Sequence, residues 1–218
     1  MRLQFDEEAA YMEQYLREYI KEHHMQQSAV ALEAAIRFHH GQKRTEGRPY
    51  IIHPMMLAMH GIALGVAKDD DDLLAVMLLH DVCEDCPVSP EELTVNEKVR
   101  QGVRCITKTR REGETKEEMM QRYMEDIRKS KEACIAKIFD RCHNVSSMAG
   151  VFSEKRMQAY IVETKKYIYP LILRQLRMSL SELLFLHIMN SLMSTFMQLQ
   201  KELLFSQQKT DLLLRTTY

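Results

Sequence analysis

The longest strictly apolar stretch that leads into chemistry is Leu73-Leu74-Ala75-Val76-Met77-Leu78-Leu79, which ends in His80-Asp81 with Glu84 and Asp85 close behind. An unbroken apolar run has no polar face, so it predicts a segment buried on all sides rather than an amphipathic surface helix. A histidine and three carboxylates at the end of such a segment are costly to desolvate without compensation. A divalent cation is the usual compensation. The alternative is a helix that simply reaches water at His80, and this stretch alone does not choose between them.

The flanking pattern is helical nearly throughout. Apolar and aromatic residues at three- and four-residue spacing predict an amphipathic helix from Asp6 to about His23. A second helix, with Ser28 as its cap, is expected from Ala29 to about His40, closed by Gly41. The loop Gln42 to Pro49 is basic and carries Gly47 and Pro49, which forbid continued helix. Tyr50-Ile51-Ile52 is read as extended, with Pro54 opening a third helix to about Val66. The acidic run Asp69 to Asp72 precedes the central segment, where carboxylates favour a helix N-terminus. Ser89-Pro90-Glu91-Glu92 reads as a capping-box start. Val95 to Ile106 continues in helical style, and Thr107 to Thr115 is a polar segment expected to be mobile. Lys116 to Lys129 reads as an exposed helix, Glu132 to about Ser147 as a largely buried one, and Lys155 to Leu176 as one interrupted near Pro170. Ser179 to about Phe205 is a Leu- and Met-rich helix, expected to pack on the core or to form a homodimer surface. The expectation is an all-α fold, with residues 1–176 as one domain and 177–218 as a C-terminal helical extension.

Composition agrees and narrows the function. Seven glycines and five prolines in 218 residues are few for anything but a helical protein. Thirty basic and thirty-one acidic residues nearly cancel, so global charge points to neither a nucleic-acid nor a membrane partner. The N-terminus has no signal-peptide core, and no uncharged apolar run is long enough to span a bilayer. With five cysteines, an odd number, this predicts a reduced, cytoplasmic protein. Cys83-Glu84-Asp85-Cys86 fits a CxxC spacing but follows a buried helix rather than a strand, against a thioredoxin-type role.

Four candidate metal ligands stand near element ends beside apolar stretches: His53, His80, Asp81 and Asp140. Two imidazoles with two carboxylates suit Mn²⁺, Fe²⁺ or Zn²⁺ better than Ca²⁺ or Mg²⁺, which prefer oxygen alone. Glu84 and Asp85 lie one turn on, where either carboxylate could take a proton from water. On a helix, Asp140, His143 and Asn144 would share one face.

Several motifs follow one family's pattern in order: His39-x-x-Gln42-x-Arg44-x-x-Gly47-x-Pro49-Tyr50-Ile51-x-His53-Pro54, Leu79-His80-Asp81-Val82-x-Glu84-Asp85, Thr107-Lys108, and Lys137-x-x-Asp140-Arg141-x-His143-Asn144. Glu163-Thr164-x-x-Tyr167-x-x-Pro170-Leu171 continues it. Together they resemble the HD-type hydrolase domain of the RelA/SpoT alarmone enzymes, including the small stand-alone hydrolases. That resemblance, over about Ala29 to Leu171, implies a metal-dependent pyrophosphohydrolase, usually with Mn²⁺, that removes the 3′-diphosphate of (p)ppGpp. It implies His53, His80, Asp81 and Asp140 as metal ligands, with Glu84 and Asp85 handling the attacking water. It implies Arg44 against the guanine base and Asn144 near the ribose, and it gives His39 no ligand role. The chain departs from the pattern at Cys86 and at Val145-Ser146-Ser147, where the family has Thr and Met-Arg-Thr; the missing arginine bears on substrate contacts more than on the metal site. A related nucleotide phosphohydrolase acting on ppApp, NADPH or a nucleoside monophosphate, and a non-catalytic nucleotide-binding module, stay open as alternatives.

Overall fold

A computed structural model of the chain describes residues 2–148 and 151–176. The helix expected from Ser179 lies outside the described residues. The chain divides into two compact units, Met1–Asp140 and Arg141–Tyr218. Among the described residues there is no β-strand, only an isolated bridge between Lys43 and Pro49, so the all-α reading holds.

The first unit is built around α4, Asp71–Leu79. Leu73 to Leu79 are each at most 1% exposed, as an apolar run without a polar face requires. Helices α2 (Gln26–Phe38), α3 (Ile52–Ala63) and α6 (Glu97–Ile106) pack on it. Helix α1 (Arg2–Glu22) lies against α2 and α3, and α7 (Lys116–Ile127) against α6. Burying each large apolar side chain of α4 contributes about 1.5–3 kcal/mol.

Close approach to α4 depends on glycine. A Cβ built on Gly102 of α6 would lie 2.6 Å from Val76 Cγ2, and one on Gly61 of α3 would lie 2.8 Å from Met77 Sδ. Met77 is flexible, whereas a β-branched valine is stiff. Gly102→Ala is therefore expected to destabilise the protein by about 1–3 kcal/mol through overpacking. This outweighs the gain of about 1 kcal/mol in helix propensity. A urea midpoint that falls at unchanged slope would bear this out; an unchanged or higher midpoint would contradict it.

The second helix starts earlier than expected, and Ser28 is not its cap. The cap comes from 43 residues away: the Asp71 carboxylate accepts from the Gln27 and Ser28 backbone N–H groups (2.9 and 2.7 Å), while the Ser28 hydroxyl donates to Asp71. Asp70 caps α4 itself, accepting from Leu73 N, and Asp72 accepts from Asn96 Nδ2 and pairs with Lys98. The acidic run thus binds element ends together. The segment Thr107–Thr115 is tied down by Arg122, which donates to Thr109 O and pairs with Glu114. Helix α7 buries Met120, Tyr123, Met124 and Ile127, so it is amphipathic rather than an exposed helix. The capping box at Ser89 forms, but it starts only a three-residue 3₁₀ turn, Pro90–Glu92.

Helix α8, Lys131–Ser147, begins in the first unit and ends in the second. In the second unit, Val145, Met148 and Ile161 form a small core with Phe152, Met157, Tyr160 and Tyr169 packed on it. Ser153 caps α9, Glu154–Glu163, by accepting from Arg156 N. The interruption before Pro170 is a π-helical turn, Thr164–Ile168, leading into α10, Tyr169–Leu176. Proline supplies no N–H to the preceding turn, which loosens the ladder there.

Candidate metal centre

The chain does not run as one helix from Leu73 to Asp85. Helix α4 stops at Leu79, His80 and Asp81 form the break, and α5 is the single turn Val82–Asp85. The break turns His80 inward beside the end of the most buried helix. Nor is the stretch before His53 extended: Tyr50 and Ile51 are a turn, and α3 begins at Ile52. Pro54 still falls in the first turn of α3, where its missing N–H costs nothing. His53 thereby comes from the start of α3 and Asp140 from α8.

These residues converge. His53 Nε2 stands 3.1 Å from His80 Nε2, and 3.3 Å from Asp140 Oδ1, which lies 3.9 Å from His80 Nε2. Asp81 Oδ2 is 3.0 Å from His80 Nε2 and 3.5 Å from His53 Nε2. The imidazoles are 1% exposed and Asp140 4%. His53, His80 and Asp140 present one ligand atom each within 4.8 Å of one another, a candidate His/Asp metal site. Donors held at about 2.0–2.2 Å around one ion stand roughly 3–4 Å apart, so the spacing fits. The His80 tautomer fits too. Its Nδ1 lies 2.8 Å from Met77 O and must donate there, which leaves a neutral His80 with the Nε2 lone pair facing the cluster.

Burial opposes charge on His80, but Asp81 and Asp140 outweigh it and push the imidazole up to about 9. Burial likewise opposes charge on the two carboxyls. The histidines at Asp81, and Lys137 with His53 at Asp140, hold both below the usual carboxylate range. Lys137 Nζ donates to Asp140 Oδ2 at 2.8 Å, which leaves Oδ1 toward the imidazoles.

Glu84 and Asp85 sit on α5, their backbone N–H groups donating to Asp81 O. The Glu84 side chain is one-third exposed, yet the protein around it displaces enough water to raise its carboxyl, with Asp81 adding to the effect. Lys108 opposes that shift, its backbone N–H donating to Glu84 Oε2 and its ammonium 4.0 Å from Oε1. Lys108 and Lys137 flank the Tyr123 ring, 5.4 and 5.6 Å from its centroid. Arg44 lies over the Tyr50 ring at 6.0 Å and pairs with Glu46. Asn144 falls on the stretch of α8 that belongs to the second unit.

Sequence reasoning gave Tyr50 and Lys108 no role, although both stand inside the motifs. The Tyr50 hydroxyl donates to Asp81 Oδ2 at 2.6 Å. Its place three residues before His53 was the available signal. The CxxC pair carries no redox activation: Cys83 and Cys86 are free thiols, and burial pushes Cys83 up to about 12 and raises Cys86.

Residues 31–175 match the HD domain family model, and the chain belongs to that family. Relatives narrow the likeness. The chain is 36% identical over 132 residues to guanosine-3′,5′-bis(diphosphate) 3′-pyrophosphohydrolase of Borreliella burgdorferi, covering 55% of this chain and 18% of that protein. It is 32% identical over 153 residues to the Aquifex aeolicus protein of the same name, covering 68% and 21%. The Escherichia coli bifunctional (p)ppGpp synthase/hydrolase SpoT is 29% identical over 157 residues, covering 66% and 21%. The chain thus spans about a fifth of the length of these curated relatives. A solved structure of a metazoan SpoT ortholog, described as hydrolysing ppGpp, has the same fold: TM-score 0.62 at 24% identity, covering 79% of this chain and 95% of that one. No helix among the described residues is long and apolar enough to cross a membrane.

Proposed function

We propose that this chain is a divalent-metal-dependent pyrophosphohydrolase that removes the 3′-diphosphate of guanosine 3′,5′-bis(diphosphate), and of its triphosphate analogue, giving GDP or GTP and pyrophosphate. The observation that carries the reading is the cluster of buried His53, His80 and Asp140 with the partly exposed Asp81 beside them, in a chain that resembles enzymes named for that reaction. Residues 1–176 would form the hydrolase domain and 177–218 its extension.

His53, His80, Asp81 and Asp140 would hold one ion, Mn²⁺ by preference among Mn²⁺, Fe²⁺ and Zn²⁺. When bound, that ion supplies a Lewis acid that makes water a nucleophile near neutral pH and draws charge from a phosphoryl oxygen. Glu84, on the turn that follows Asp81, takes the proton from the attacking water. Asp85, beside it on α5, orients that water. Lys108, beside Glu84, and Lys137, paired with Asp140, place two ammonium groups at the site and offset part of the substrate's phosphate charge. Arg44 packs on the guanine with its planar guanidinium, and Asn144 bonds to the ribose.

The test is turnover by purified protein, with Mn²⁺ or with chelator, of ppGpp, ppApp, NADPH and nucleoside monophosphates. Release of pyrophosphate and GDP from ppGpp, lost with chelator, is expected. Rapid turnover of another substrate with none of ppGpp would sink the reading.

Metal uptake should also move protons. With its imidazole near 9, His80 is protonated at pH 7.5 in the metal-free protein and must lose that proton to act as a ligand. About one proton is expected to leave per Mn²⁺ bound at pH 7.5, fading as pH rises through 9. Calorimetric titration in buffers of different ionisation enthalpy reads this directly. Identical heats in every buffer would contradict it.

A further inference from the structure

The Tyr50 hydroxyl meets Asp81 at the same oxygen, Oδ2, that faces both imidazoles. A carboxylate on a short side chain can rotate to offer either oxygen. A 2.6 Å hydrogen bond from a phenol fixed in place removes that freedom, as groups behind metal ligands commonly do. A phenol keeps its proton at neutral pH, so Tyr50 remains a donor.

Tyr50 itself is held from several sides. Its backbone N–H donates to Gln42 O, beside the Lys43–Pro49 bridge that closes the basic loop. The His39 ring stacks on it at 4.7 Å, and the His53 ring meets it edge-on at 6.0 Å. His39 is 2% exposed and kept neutral by burial; its Nδ1 donates to Gln42 Oε1 at 2.8 Å. Gln42 Nε2 in turn donates to Cys86 Sγ, and that thiol to Phe38 O. The chain of contacts runs from the end of α2, through the loop, to the residue that closes α5. It accounts for a buried histidine with no ligand role.

We infer that Tyr50 is a positioning residue that fixes Asp81 Oδ2 toward the metal centre, with His39 and Gln42 seating its ring. The inference rests on the reading of His53, His80, Asp81 and Asp140 as a metal site. Tyr50→Phe keeps the ring and its stacking but removes the donor. Its Kd for Mn²⁺, measured by titration calorimetry, is expected to rise about 10- to 100-fold. The metal-free variant should melt within a degree or two of the metal-free original, and saturating Mn²⁺ should restore kcat with KM for nucleotide unchanged. His39→Phe, which keeps an aromatic ring beside Tyr50, should weaken Mn²⁺ less than Tyr50→Phe does.

An unchanged Mn²⁺ affinity in Tyr50→Phe, beside tight binding by the original protein, would overturn the positioning role alone. Weak binding that follows a lowered metal-free Tm would overturn it too, in favour of a purely structural tyrosine. No Mn²⁺ binding by the original protein would overturn the metal site, and the inference with it.

Discussion

Replacing Asp140 with asparagine is expected to lower Mn²⁺ affinity and metal-dependent kcat/KM by more than the roughly 10- to 100-fold that a group behind a ligand typically costs. The amide keeps the size of the carboxyl and can still accept from Lys137, so packing in α8 is preserved. What is lost is the charge that faces His53 and His80 at 3.3 and 3.9 Å. In a buried site that charge is, with that of Asp81, the counterweight to a divalent cation, because little water reaches Asp140. A second consequence follows at His80, whose imidazole is pushed up partly by Asp140. Asp140→Asn should therefore release less than one proton per Mn²⁺ at pH 7.5, where the original releases about one. Metal content and calorimetry on the same preparations check both. Retention of full Mn²⁺ affinity would exclude Asp140 from the ligand set.

Glu84→Gln should separate chemistry from metal binding. Glutamine can still accept from the Lys108 backbone N–H, so the local contacts of α5 survive. It cannot accept a proton. Loss of a general base typically costs about 10²- to 10⁴-fold in rate. A fall of that size in kcat is expected, with Kd for Mn²⁺ within a few-fold of the original. The acid limb of the pH–rate profile should flatten as well, since it reports the carboxyl that must be ionised. A loss under tenfold in kcat would move the role to Asp85.

The sequence was most legible where one physical demand dominated. Leu73–Leu79 has no polar face, and it became the buried centre of the first unit. Its polar end lies beside His53 and Asp140, which the sequence singled out because imidazoles and carboxylates beside apolar runs need compensation. The break at His80-Asp81 was not legible, because nothing local stops the helix there; the turn serves the convergence of side chains from α3 and α8. Ser28 was misread because its partner, Asp71, is remote in sequence and supplies the cap across space. Tyr50-Ile51-Ile52 was read as extended, yet Tyr50 and Ile51 form a turn that delivers the phenol to Asp81, and the helix already begins at Ile52. The expected C-terminal helix lies outside the described residues.

One divalent ion is expected among His53, His80, Asp81 and Asp140. Crystals grown with Mn²⁺ and recorded at the manganese absorption edge test it most directly. One anomalous peak is expected within about 2.0–2.4 Å of His53 Nε2, His80 Nε2, Asp81 Oδ2 and Asp140 Oδ1. A protein that turns over ppGpp with Mn²⁺ while its anomalous peak lies elsewhere would contradict it.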